Sequence, residues 1–536
     1  MSPEWREWVV PPMRGLVGAP ILTVRTRLRP RTILNGEGLM HAYETRERSR
    51  LLGGLLLAAL TLAAGETGFT RQRPVHGHDG DRLVVDQQDV DSHGRGNAVT
   101  RWNRLATEIL PVEVGPVIDA RAMAILHAAI HDAVNAIDRR YEPYTADLSG
   151  PGASVDAAVA SAARDVMIAV APGQKARIEQ MYAAVLADVR DGPAEDDGVS
   201  LGQQAARANL ERRAADGIVP GPWPPSQGPI TEPVYVPTGK PGDYDFTPPF
   251  DAPPLGPIAL FPGLGRLEPF VIDLASHRLA GPDPLSSRQY ARDVALVQSI
   301  GRLDSATRTK DQANIAFFWF EPFAIWNDIT RTAVEQRSLD EWQAAREFAL
   351  VNFAMMDAGI ACFDAKYRFH FWRPYTAIRR AAEDGNDRTE PDPNWLPLLW
   401  TPPEVMPPTF LIPPIPDYPS AAATMSAAAA EVLRARFGDR LRFSVTSTTL
   451  PGQKRQFHSF THAAREAGLS RVYGGIHFLH AVEDGWAQGE EIGRVVARKL
   501  PRKLRSARRT RAGGPDRRHE VGSAGAEPPS TRPGAR

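Results

Sequence analysis

The stretch "SLDEWQAAREFALVNFAMMDAGIACFDAKYRF", from Ser338 to Phe369, shows the strongest helical repeat of apolar residues in the chain. A serine and a following acid at its start are helix-opening signals, so the run predicts one long amphipathic helix. The same periodicity recurs upstream in "DARAMAILHAAIHDAVNAIDRRY" (Asp119–Tyr141), "DAAVASAARDVMIAV", "ARIEQMYAAVLADVR" and "GVSLGQQAARANLERRAADG". Helices joined by short connections pack as a bundle. The passage "VPGPWPPSQGPITEPVYVPTGKPGDYDFTPPFDAPPLGPIALFPG" is too rich in proline for a helix or a central strand and connects two halves. A second such loop, "PDPNWLPLLWTPPEVMPPTFLIPPIPDYP", leads into the alanine-rich helix that begins after Ser420. A last helix is expected from about Ser470 to Leu500, with Gly485, Gly489 and Gly493 making a smooth face for close packing. Convincing strands are few. The expected fold is all-α: two helical bundles with long proline-rich connecting loops. Its parts are an N-terminal bundle at 97–217, a connection at 218–285 and a C-terminal domain at 286–498.

With 536 residues, 43% of them apolar and 24% charged, the chain can bury one large core or two ordinary ones. Lysine plus arginine equals aspartate plus glutamate at 63 each, so whole-chain charge gives no reason to expect a nucleic-acid partner. The single cysteine, Cys362, excludes an internal disulfide and a thiolate cluster. It lies in an apolar helical run and reads as a buried small hydrophobe rather than a reactive thiol.

The ends read differently. From Met40, "MHAYETRERSRLLGGLLLAALTLAAGETG" carries Arg46, Arg48 and Arg50, then an apolar run from Leu51 to Ala64, then a small-residue site. This is the layout of a signal peptide at 40–65, too short in its apolar part for a stable membrane span. Translation is then expected to begin at Met40, with 1–39 an upstream artefact and the mature chain exported. Residues 499–536, basic and then rich in glycine, proline and serine, read as a disordered tail.

Chemistry concentrates in the C-terminal half. "KYRFHFWRP" places Lys366 and Arg373 seven apart, two helical turns, so that both can face one side. "YPSAAAT" puts Ser420 at the start of a helix, where free N–H groups favour an anion. "SRVYGGIH" brings Arg471 and His477, with two glycines between them that let the backbone approach a ligand. Taken singly, each residue has an ordinary structural explanation. Together, three cations, a hydroxyl, an imidazole and a helix N-terminus suit a tetrahedral oxyanion.

In this order, K-x6-RP, then PS, then SR-x3-G-x-H, the fragments resemble the vanadium-dependent haloperoxidases and the related phosphatidic-acid-phosphatase-type acid phosphatases. "WNRLATEIL", "DAGIACFDAKY" and "EAGLSRVYGGIHF" are similar to the bacterial secreted branch, and the resemblance covers roughly Asn97 to Arg498. It implies vanadate as cofactor, with phosphate as a substitute. Lys366, Arg373 and Arg471 would neutralise its oxygens, Ser420 and the N–H of Ala421 would hydrogen-bond them, and His477 would bind the metal. Hydrogen peroxide, halide and a small organic substrate are the implied partners. In the phosphatase relatives the residue matching His477 is the nucleophile.

Two departures stand out. The family's PSGH has a glycine and an acid–base histidine where this chain has Ala421 and Ala422. Loss of a positioned acid–base group costs about 10²–10⁴-fold in rate, so turnover should suffer more than anion binding. The phosphatase-like H-x3-D pattern meets Ala481, with Glu483 and Asp484 just beyond; an acid on the second ring nitrogen would have fixed the tautomer. His370, His458, His462 and His480 also lie in this half, though none at the matching position. A rival zinc reading of His127 and His131 lacks the glutamate of HExxH, since Ala128 stands there.

Overall fold

The computed structural model describes residues 96–113, 117–216, 234–253, 256–400 and 412–499. The segment 1–39, the expected signal peptide at 40–65 and the tail beyond Lys499 lie outside the described residues. Five helices come first: α1 (Ala98–Glu113), α2 (Ile118–Ile137), α3 (Val155–Val170), α4 (Lys175–Ala187) and α5 (Pro193–Arg212). After the proline-rich connection follow α6 (Arg288–Ile300), α7 (Lys310–Phe318), α8 (Pro322–Gln336), α9 (Glu341–Phe369) and α10 (Pro374–Arg379). Then come α11 (Ala421–Phe437), a hairpin of β1 (Phe443–Thr446) and β2 (Lys454–Phe457), α12 (Phe460–Tyr473) and α13 (Leu479–Lys499). The protein is all-α, with Phe443 paired to Phe457 and Thr446 to Lys454 in that antiparallel hairpin.

The long helix α9 is the axis of the fold. Its cap is Asp340 rather than Ser338: the Asp340 carboxylate accepts from the Gln343 N–H (2.9 Å) and the Gln343 amide oxygen accepts from the Asp340 N–H (3.2 Å). Such a cap contributes about 1 kcal/mol. Among the described residues α9 alone is long and apolar enough to cross a membrane, and 94% of that window is buried within the protein, as a core helix should be. One continuous apolar core runs from Trp102 and the α2 residues through Phe348, Phe353 and Met355 of α9 to Ala428 and Leu433 of α11. A second cluster, with Tyr290, Trp372, Tyr418 and Phe478, packs beneath the loops that follow α9 and α12.

Three local readings change. Lys366 and Arg373 do not share a helix: α9 ends at Phe369, His370 takes a left-handed conformation (φ 34°, ψ 43°), and Arg373 is the N-cap of α10. The expected last helix is two, because Gly475 turns at φ 75° where Gly301 O lies too close for any Cβ. Ser420 stands at the N-cap of α11 without making the side-chain cap. Gly485, Gly489 and Gly493 do form the smooth face: a Cβ on Gly493 would lie 2.5 Å from Ala428 O, and one on Gly489 would strike Thr424 O. The alanines of α11 are there because α13 comes that close.

Candidate functional site

Two buried cations tie one loop. Lys366, in the last turn of α9 and fully buried, donates through Nζ to the carbonyls of Pro416 (2.6 Å) and Asp417 (2.9 Å). Burial pushes its ammonium down to about 8. Arg373, equally buried, donates from Nε to Ile415 O (2.7 Å) and from Nη1 to Ile476 O (2.7 Å). Its Nη2 has no partner among the described residues. These bonds clamp residues 415–417 against the turn that carries His477.

The same loop delivers the start of α11. Ser420 N–H donates to Ala481 O (2.8 Å), while the buried Ser420 hydroxyl has no partner among the described residues. Ala421 and Ala422 open the helix, where first-turn N–H groups have no intrahelical acceptor and the helix dipole favours negative charge. Ala422, the second residue of the helix, is buried (8% exposed).

Arg471, in the last turn of α12, donates through Nη2 to the carbonyls of Trp319 and Phe320, and its buried Nε has no partner among the described residues. Burial lowers its guanidinium to about 10, opposed by the nearby Glu321 carboxylate. Burial in turn raises Glu321 to about 7, against the pull of Arg471.

His477 lies in the turn between α12 and α13 and is 4% exposed. Its Nε2 is 3.4 Å from Arg373 Nη1, and its Nδ1 is 2.9 Å from Asp417 Oδ1. At 2.9 Å the carboxylate oxygen sits off the ring's N–H axis, so the contact is electrostatic before it is an aligned hydrogen bond. Burial, and then Arg373, Lys366 and Arg471, hold the imidazole well below its ordinary value and hence neutral. Asp417 is fully buried; burial raises it to about 6, while Arg373 and Lys366 favour its charge.

Lys366, Arg373, Ser420, Arg471 and His477 therefore converge from four separate segments. Sequence reasoning missed Asp417 and Glu321. Asp417 stood in the second proline-rich loop and read only as connection; the docking of that loop on His477 reveals it.

The remaining histidines have other partners. His458 and His462 are exposed and stack on each other (5.7 Å), and His370 is 3.7 Å from Asp243 at the end of α9. His480 is buried, with Nδ1 2.7 Å from Asp293 Oδ2. His127 contacts Asn103 (2.8 Å) and His131 contacts Glu142 O (3.0 Å), while Asp132 accepts from Tyr144, Thr145 and Ala146 N–H groups. Those contacts occupy one ring nitrogen of each histidine and both Asp132 oxygens, and among the described residues no group of three or more His, Cys, Asp or Glu is placed to hold a metal ion. Cys362 is buried against Pro419 O (3.5 Å), and burial pushes its thiol up to about 11.

The family model described as the VCPO second helical-bundle domain matches residues 346–506, the part that holds Lys366, Arg373, Asp417, Ser420, Arg471 and His477. Vanadium chloroperoxidase of Curvularia inaequalis is 27% identical over 421 residues, covering 64% of this chain and 66% of that protein. These matches support the vanadium-dependent haloperoxidase and acid phosphatase superfamily as the family this chain resembles. Among solved structures, the first bacterial vanadium-dependent iodoperoxidase matches with a TM-score of 0.60 at 24% identity, over 79% of this chain and 98% of that one. Apo and holo forms of a bacterial vanadium-dependent chloroperoxidase match at 0.56, with 18% and 19% identity over 72% of this chain and 93% and 92% of theirs. At these identities the solved structures establish the shared fold. The chain spans about two thirds of the curated relative, so that protein's chemistry does not transfer with the match.

Proposed function

We propose that this protein is a vanadium-dependent haloperoxidase-like protein with impaired turnover. The observation that carries this reading is the set of buried donors without a partner among the described residues, Arg373 Nη2, Ser420 Oγ and Arg471 Nε, gathered around a neutral His477. Three buried cations face one fully buried carboxylate, Asp417, and a partly protonating one, Glu321. Such a site is short of negative charge, and a small tetrahedral oxyanion supplies it. Vanadate fits that requirement; phosphate fits it too and is expected to compete.

Lys366, Arg373 and Arg471 would neutralise the oxyanion, Ser420 Oγ and Ala421 N–H would orient it, and His477 Nε2 would be the ligand to the metal. When bound, vanadate supplies activation of hydrogen peroxide toward halide, and the oxidised halide halogenates a small organic substrate. The protein's part is charge, donors fixed before binding, and exclusion of water. Ala422 offers no proton-transfer group at the helix N-terminus, so the protein holds its anion better than it turns over. Orthovanadate calorimetry followed by a bromide-oxidation assay with peroxide tests the reading. Tight binding with weak oxidation supports it; no binding overturns it.

A second reading, a phosphatase-like hydrolase with His477 as nucleophile, draws support from Asp417, which occupies the second-nitrogen role that Ala481 leaves vacant. Hydrolysis of a phosphomonoester discriminates the two. Vanadate binding with neither activity indicates a non-catalytic oxyanion-binding relative. The layout of residues 40–65 supports export of the mature chain, and N-terminal sequencing of the natural protein tests it.

A further inference from the structure

The superfamily pattern places an acid four residues after the histidine, and this chain has Ala481 there, fully buried with its carbonyl taken by Ser420 N–H. A carboxylate nevertheless reaches the ring from the opposite side. Asp417 Oδ1 is 2.9 Å from His477 Nδ1, and the backbone N–H of Phe478, the residue after His477, also supports the carboxylate. The Asp417 backbone is fixed: its N–H donates to Phe371 O (2.8 Å), its C=O accepts from Lys366 Nζ (2.9 Å), and the next ring, Tyr418, stacks on His480 at 5.6 Å. His480 is fixed in turn by Asp293, which accepts from both its Nδ1 and its backbone N–H (2.7 and 3.0 Å).

We infer that Asp417 is the positioning residue for His477, taking over from a different segment the task of the acid missing at Ala481, with Asp293 and His480 bracing the loop that carries it. A carboxylate at Nδ1 keeps the proton on that nitrogen and presents the Nε2 lone pair to the oxyanion site. The inference rests on the proposed role of His477 but makes a claim about the metal-free protein as well. A counter-charge role for Asp417 toward Arg373 and Lys366 predicts the opposite response to neutralisation, since removing a negative charge beside an anion site tightens anion binding.

The experiment uses the ¹⁵N-labelled metal-free protein, with the His477 ring identified by its loss in His477→Gln. Long-range ¹H–¹⁵N correlation reads the tautomer, and calorimetry with orthovanadate reads affinity. Wild type is expected to hold the Nδ1–H tautomer. Asp417→Asn, which keeps the shape, should mix or reverse it and weaken orthovanadate about 10–100-fold. Adding Ala481→Asp to that variant should restore the tautomer. An unchanged tautomer with unchanged or tighter orthovanadate binding in Asp417→Asn overturns the inference. A tautomer that responds in a protein that binds no orthovanadate upholds it and sinks only the proposed function.

Discussion

The Ser420 N–H donates to the carbonyl of Ala481 at 2.8 Å, and this one bond joins the N-terminus of α11 to the first turn of α13. Because His477 lies four residues before Ala481, the helix end and the imidazole are held in register by backbone alone. The site is thus built from the meeting of two helix starts, and changes at either should register at the other.

Ala422→His addresses the start of α11 directly. If the proton-transfer group is the limiting absence, the variant should raise peroxide-dependent bromide oxidation by about 10²–10⁴-fold at saturating orthovanadate, with affinity little changed. An unchanged rate would place the defect elsewhere in the pocket.

Arg373→Lys tests the clamp. Lysine lacks the fork that serves Ile415 O and Ile476 O while leaving Nη2 for a ligand. At least one buried carbonyl is left unpaired, so stability should fall by about 1–3 kcal/mol in chemical denaturation. Orthovanadate should bind more weakly than to wild type. Retention of both would mean that Arg373 is merely a buried charge.

Much of this was legible in the chain. Lys366, Arg373, Ser420, Arg471 and His477 announce themselves by type and order, and the helices by period. Other features depend on partners distant in sequence. Asp417 acts on a residue sixty positions away, and a non-glycine left-handed stop at His370 has no strong local signal. The break at Gly474–Gly475 follows from close approach to Gly301 and Leu399. Asp340 outcompetes Ser338 as a cap because Gln343 stands three residues on, completing a reciprocal pair.

Gly489→Ala probes the packing that positions the anion-facing turn. The added methyl would meet Thr424 O, in the first turns of α11, and cannot be accommodated without moving the helix. A loss of about 1–3 kcal/mol is expected, together with weaker orthovanadate binding. A variant of full stability and affinity would show that α11 and α13 can separate freely.

His127 supplies a pH dependence remote from the site. It is fully buried beside Asn103 and stacked on Phe348 at 5.0 Å, and burial first, then Arg331, lowers its imidazole to about 3. In the unfolded chain it titrates near the ordinary value of about 6.5. Between those values the unfolded state binds the extra proton, so the contribution is complete above pH of about 6.5 and is lost as pH falls toward 3. The slope from this one residue approaches about 1.4 kcal/mol per pH unit. Comparing urea denaturation of wild type and His127→Gln between pH 7 and pH 4, a range of about three units, isolates it from other acid-titrating groups. The variant should be less stable at neutral pH, having lost the stacked ring, but should decline less steeply with acid. Parallel curves would mean that His127 takes up its proton in the fold as readily as in the unfolded chain, at the cost of the bond that its Nε2 accepts from Asn103.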